Sequence, residues 1–95
     1  MLSVIKANYI NDYSIELTFS NGKSGIVDLK EIIFKDTRPI FKPLKELDYF
    51  RSFKVELDTL AWENNLDFAP EFLFFKAFQN NKEYINDFKK WGYIS

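Results

Sequence analysis

The sequence contains neither cysteine nor histidine. Without cysteine there is no disulfide, no thiolate metal ligand and no thiol nucleophile. Without histidine the usual general base and the commonest imidazole ligand are missing, which excludes the familiar nucleophilic triads. Glycine and proline are scarce, three of each, so the chain is neither collagen-like nor of low complexity. Gly22, Gly25 and Gly92 are scattered and form no phosphate-cradling loop. The longest uninterrupted apolar run is Phe72–Phe75, far too short to span a membrane. The N-terminus shows no signal-peptide pattern. These absences lead to the expectation of a soluble, cytoplasmic domain with no membrane contact.

What is present is apolar and aromatic. The 95 residues are 46% hydrophobic and include eleven Phe, five Tyr and two Trp. That is enough for one core and one domain, and it excludes a disordered tail. Eleven Lys against two Arg, with abundant Asn, Ile and Phe, resembles the product of an AT-rich bacterial genome. The net charge is -1, whereas a phosphate-neutralising protein normally carries a basic excess, so direct nucleic-acid binding is not expected. The charges are segregated. Val55 to Phe75 holds Glu56, Asp58, Glu63, Asp67 and Glu71 with no Lys or Arg. This segment reads either as ordinary solvated surface or as an acidic face that steers a basic partner.

Val4–Ile10 reads as a strand, turned by Asn11-Asp12. Ser14–Phe19 alternates strictly and directs Ile15, Leu17 and Phe19 to a core. Asn21-Gly22 marks a hairpin. A two-residue loop would set Asp28 opposite Ile15, among apolar side chains. A three-residue Ser20-Asn21-Gly22 loop with Gly22 left-handed pairs Leu17 with Gly25 and Ile15 with Val27, and Leu29 continues the buried face. Leu29–Phe34 is a short helical or irregular turn, and Pro39 and Pro43 bracket a loop. A brief helix follows Pro43 with Leu44 and Leu47 inward. Phe53–Leu57 alternates, Asp58-Thr59 turns, and Leu60–Trp62 returns as a second hairpin strand. Pro70 opens a helix with Ala69 as its N-cap residue. Asn80 and Glu83 suggest a capping box for a last helix, closed by Gly92. Tyr84, Ile85, Phe88 and Trp91 share one face of it. The expected class is α+β, a small antiparallel sheet of hairpins, about five strands, covered by C-terminal helices.

Asp67 and Glu71, with Glu63 nearby, are the best carboxylate pair for acid–base chemistry. Their simpler roles are an Asx turn for Asp67 and a favourable helix-dipole position for Glu71. The calcium-loop spacing is absent, and no metal or cofactor is implied. The helix after Pro70 is apolar around most of its circumference, with Phe72, Phe75 and Phe78 among its aromatics, and has to be covered on more than one side. Either the C-terminal helix supplies that cover through Tyr84, Ile85, Phe88 and Trp91, or the stripe joins two protomers as a homodimer or docks a partner.

Three stretches in succession resemble a known family. Phe19-Ser20-Asn21-Gly22-Lys23 leads into Gly25-Ile26-Val27-Asp28-Leu29. Phe41, Leu44, Phe50 and Phe53 follow, and then Trp62-Glu63-Asn64-Asn65-Leu66-Asp67-Phe68-Ala69-Pro70-Glu71-Phe72-Leu73. Their order and spacing are similar to the bacterial family called domain of unknown function 2442, over roughly Val4 to Phe74. The resemblance implies a compact α+β domain without established catalytic residues. Members often lie beside toxin-like genes and are treated as antitoxins, and some carry an added helix-turn-helix domain. Glu63 and Asn65 stand where the family usually has Pro and Gly; Asn tolerates the left-handed conformation, so the turn survives. The expected division is a family-like core, 1–75, and a helical extension, 76–95. The expected function is non-enzymatic. The chain would bind and regulate a larger or basic bacterial protein, toxin-like or a nuclease, through Glu56, Asp58, Glu63, Asp67 and Glu71, as an antitoxin or as an accessory subunit of a nucleic-acid-targeting defence enzyme. The alternatives are a direct nucleic-acid-binding regulator and a carboxylate-based enzyme.

Overall fold

A computed structural model describes all residues, 1–95. The chain runs β1 (Val4–Asn11), β2 (Ser14–Phe19), β3 (Ser24–Asp28), α1 (Lys30–Lys35), a 3-10 helix (Pro39–Lys45) and α2 (Leu47–Phe50). It continues through β4 (Lys54–Glu56), β5 (Thr59–Ala61), α3 (Pro70–Phe78), a 3-10 turn (Lys82–Tyr84) and α4 (Ile85–Lys90). The class is α+β, and the five strands form two antiparallel sheets, β1-β2-β3 and β4-β5. No helix is long and apolar enough to cross a membrane.

The first hairpin follows from burial. Leu17 pairs with Gly25 and Ile15 with Val27, and Gly22 sits at φ +82 in the three-residue loop. Ile15, Leu17, Phe19, Val27 and Leu29 are all fully buried. A one-residue slip would turn this set toward water. Gly25 leaves room for α3, since a Cβ there would lie 2.8 Å from the Phe78 ring.

Helix α3 begins at Pro70 with Ala69 extended at the N-cap position. It buries Leu73 and Phe74 and half-buries Phe72, Phe75, Ala77 and Phe78. The sheet covers one side through Phe19, 5.0 Å from Phe74 between ring centres. The C-terminal segment covers the other, with Tyr84 and Trp91 4.9 and 6.1 Å from Phe74 and Phe88 5.1 Å from Phe75. Three of the stripe's four residues therefore pack within the chain, and the apolar side expected either at home or between protomers is taken up at home. Ile85 is half-buried outside that aromatic cluster. The expected boundary between 75 and 76 falls inside α3, and Phe88 belongs to the single core.

Several local expectations give way. The proline-flanked loop is one 3-10 helix containing Pro43. Leu47 is exposed while Phe41, Leu44 and Phe50 turn inward, because 3-10 winding followed by α2 shifts the inward face. The cap of the last helical segment is Asn81, whose side chain accepts from the Glu83 N–H at 3.0 Å; Asn80 does not take that role. The initial 3-10 turn starts one residue later than a plain α-helix. Gly92 at φ +85 closes the segment as expected. Tyr93 N–H reaches Phe88 O at 3.0 Å and Gly92 N–H reaches Lys89 O at 3.1 Å, the paired bonds of a Schellman motif.

Phe88 is the buried link between α4 and α3. Phe88→Ala is expected to cost about 3–5 kcal/mol, a Tm loss of about 12 °C or more for a domain of this size. Ile85→Ala, outside the cluster, should lower Tm by only a few degrees. Thermal melts of the two variants test the assignment, and an equal loss at both positions contradicts it.

Candidate functional site

The second hairpin is asymmetric. Every residue of β4 is exposed and every residue of β5 is buried. Thr59 pairs with Glu56, and its buried hydroxyl donates to the Phe68 carbonyl. Ala61 bridges to Asp67. The turn is therefore Leu57-Asp58, one residue earlier than Asp58-Thr59, because Thr59 is held in the strand by its buried partner. The alternation over Phe53–Leu57 does not produce a buried face at Val55 and Leu57. Val55 is exposed, and Leu57 is 94% exposed. Leu57 and Asp58 take φ +50 and +69, the double left-handed geometry of a two-residue hairpin that Asn-Gly normally fills. The Asp58 carbonyl accepts the Val4 N–H at 2.9 Å, tying the tip to β1.

Behind the hairpin, the tryptophan loop is built by backbone closure. Trp62 N–H bonds Leu66 O at 3.0 Å and Asn65 N–H bonds Trp62 O at 3.1 Å. Asn65 sits at φ +68, so the turn survives the loss of glycine. The Trp62 indole N–H donates to Phe50 O at 2.9 Å, and the Asn64 amide donates to Ile40 O at 2.9 Å. The loop thus staples the second hairpin to the 3-10 helix and α2. The stapling role of Asn64 is not legible in the sequence, because it depends on a carbonyl 24 residues away.

Two of the five predicted acids meet in one groove. Glu56 and Asp67 line one shallow groove of about 220 Å³ with Leu57, Ala61, Trp62 and Asn65. Asp58 occupies the hairpin tip, outside that groove's lining, and Glu63 is exposed on the tryptophan loop. Glu71 is half-buried in the first turn of α3. Asp67 contacts Ala61 through its backbone, and its carboxylate makes no Asx turn. No three carboxylates converge as a metal site. A larger open groove of about 840 Å³ lies between β3 and the end of α3, lined by Ile26, Asp28, Glu31, Lys76, Phe78 and the side-chain amides of residues 79–81.

The whole is a small two-sheet α+β domain with an exposed second hairpin. The chain belongs to the family described as "Protein of unknown function (DUF2442)", whose model matches residues 4–79. The C-terminal cover, 80–95, lies beyond that match. No curated protein matches the chain. Among solved structures, the chain is similar to a Nitrosomonas europaea protein whose name marks it as a candidate DNA-binding protein, at TM-score 0.72 and 18% identity. The match covers 100% of this chain and 63% of that one, so this chain spans under two thirds of its neighbour's length.

Four ionisable groups bear directly on pH. Burial raises the Tyr13 and Tyr93 phenols above their usual 10.0, assisted by Asp12 and Glu71 respectively. Hydrogen bonds from Arg38 hold Asp36 below 3.8, and the bond from Lys35 does the same for Glu31 below 4.5. Folding favours the protonated phenols, so their contribution is complete below pH 10 and is lost as pH rises through the raised values. The carboxylates act oppositely; their contribution is lost as pH falls through the depressed values. Melts between pH 8 and 11.5 should show declining stability above pH 10, and Tyr93→Phe should flatten that decline. An identical alkaline slope in the variant contradicts the assignment.

Proposed function

We propose that this chain is a non-enzymatic protein-binding module that regulates a larger, basic bacterial protein, toxin-like or a nuclease. The observation that carries the reading is Leu57. A leucine 94% exposed at φ +50 holds a conformation that costs an L-residue about 1–2 kcal/mol and that glycine would adopt freely. Such strain is concentrated at ligand-contacting sites, where surrounding structure over-determines it. Glu56 and Asp58 flank Leu57, and Asp67 lies in the groove beside it. An apolar anchor with an acidic rim suits a basic protein surface, the anchor supplying affinity and the rim steering the encounter. Glu56 is only loosely engaged, 4.0 Å from Lys54.

The reading separates stability from binding. Leu57→Gly is expected to leave the fold intact or stabilise it by up to about 1 kcal/mol, since it removes the left-handed strain at an extra entropic cost. The same change should release a partner co-purifying at native expression, and Glu56→Lys with Asp58→Lys should do likewise. Thermal melts beside affinity capture from native lysate measure both. Recovery of only the bare chain, or capture unaffected by Leu57→Gly, rejects the proposal.

A further inference from the structure

A net charge of -1 conceals a basic segment. Lys35 to Lys45 contains four cations and one acid, Asp36. The turn after α1 and the following 3-10 helix bring Arg38, Lys42 and Lys45 to one groove of about 320 Å³, lined also by Asp36, Thr37 and Pro39. All three cations are exposed. Their backbone is anchored, since Lys45 O accepts the Tyr13 hydroxyl and Ile40 O accepts the Asn64 amide.

Arg38 is pre-oriented. Asp36 accepts its Nε–H at 3.0 Å and its Nη2–H at 2.6 Å, and the guanidinium lies 5.1 Å over the Phe41 ring. Of five guanidinium N–H donors, these two are used and three are left without a protein acceptor. Asp36 offsets one cation, while Lys42 and Lys45 take part in no ion pair. Lys45 instead sits 5.8 Å over Phe34. Apart from Pro39, no apolar side chain lines the groove. A protein partner would find no buried anchor there, and a small organic ligand no apolar wall. What the groove offers is positive charge and N–H donors, the needs of a phosphate chain.

We propose that the Arg38–Lys42–Lys45 groove holds the phosphodiester backbone of a nucleic acid, the Arg38 fork on one phosphate and the two lysines on its neighbours. This site is separate from Leu57 and stands or falls independently of it. Phosphate contact carries no base readout, so binding should be indifferent to sequence. Because Asp36 already offsets Arg38, the net excess is two charges; the logarithm of the binding constant should fall against the logarithm of salt with slope about -1.8, roughly sevenfold weaker for each threefold rise in salt. Titration of the full chain into a labelled 20-base-pair duplex, DNA and RNA in parallel, measures that slope by fluorescence anisotropy. Lys42→Gln with Lys45→Gln should bring it close to zero, while Lys89→Gln with Lys90→Gln, an equal charge change on α4, should leave it unchanged. Excess inorganic phosphate should compete. Binding to one duplex alone still supports the site and names its source. No binding to either duplex at 20 mM salt, or equal loss in both lysine pairs, overturns it.

Discussion

The Phe74 ring is the contact on which the rest of this molecule depends. Its centre lies 5.0 Å from Phe19, 4.6 Å from Phe78, 4.9 Å from Tyr84, 6.4 Å from Phe88 and 6.1 Å from Trp91. Those neighbours come from the sheet, from α3 itself and from the C-terminal segment. One ring therefore joins three parts of the chain. Edge-to-face pairs of this kind add about 0.5–1.5 kcal/mol each beyond simple burial. The helix that carries Phe74 is apolar on nearly every side, so a single sheet face leaves it partly wet. The C-terminal cover is a consequence of that excess. Tyr93 completes it by stacking on Phe75 at 5.1 Å and 19° between planes.

Where burial on one face decided the outcome, the sequence was readable. The register of β2 and β3 follows from keeping Ile15, Leu17 and Val27 inside, and Gly22 and Gly92 occupy the left-handed positions their neighbours require. Reading was less successful where a distant partner intervened. Thr59 looks like a turn residue until Phe68 O is placed beside its hydroxyl. Asn80 and Asn81 are equivalent caps until the helix is seen to start in a 3-10 turn. The acids between Val55 and Phe75 cluster in sequence, yet strands, two tight turns and the start of α3 carry them. Only Glu56 and Asp67 meet in one groove. Tyr93 escaped notice because its position follows from the Schellman turn, after helical periodicity has ended.

The charge sum is coarse in a similar way. A total near zero averages over surfaces that never face the same ligand. The basic run around Arg38 was visible in the sequence. What was not visible is that Asp36 spends itself on one guanidinium, leaving two lysines without carboxylates in the same groove. An acid close in sequence to several bases does not neutralise them equally.

The second hairpin shows how a strained residue can persist in so small a domain. Its buried strand is fixed at three points: Leu60 in the core, Thr59 bonded to Phe68, and Ala61 bridged to Asp67. The Asp58 carbonyl is held by Val4. With one strand and the tip both restrained, the two-residue connection follows from the pairing of Glu56 with Thr59. The left-handed pair at Leu57 and Asp58 is the turn whose twist matches the flanking strands. A turn with φ below zero would splay the two strands and strain the bond of Thr59 to Phe68, and a buried hydroxyl without a partner costs about 1–3 kcal/mol. That penalty matches or exceeds the strain of about 1–2 kcal/mol. The core thus holds the leucine out in solvent, its apolar surface free for contact.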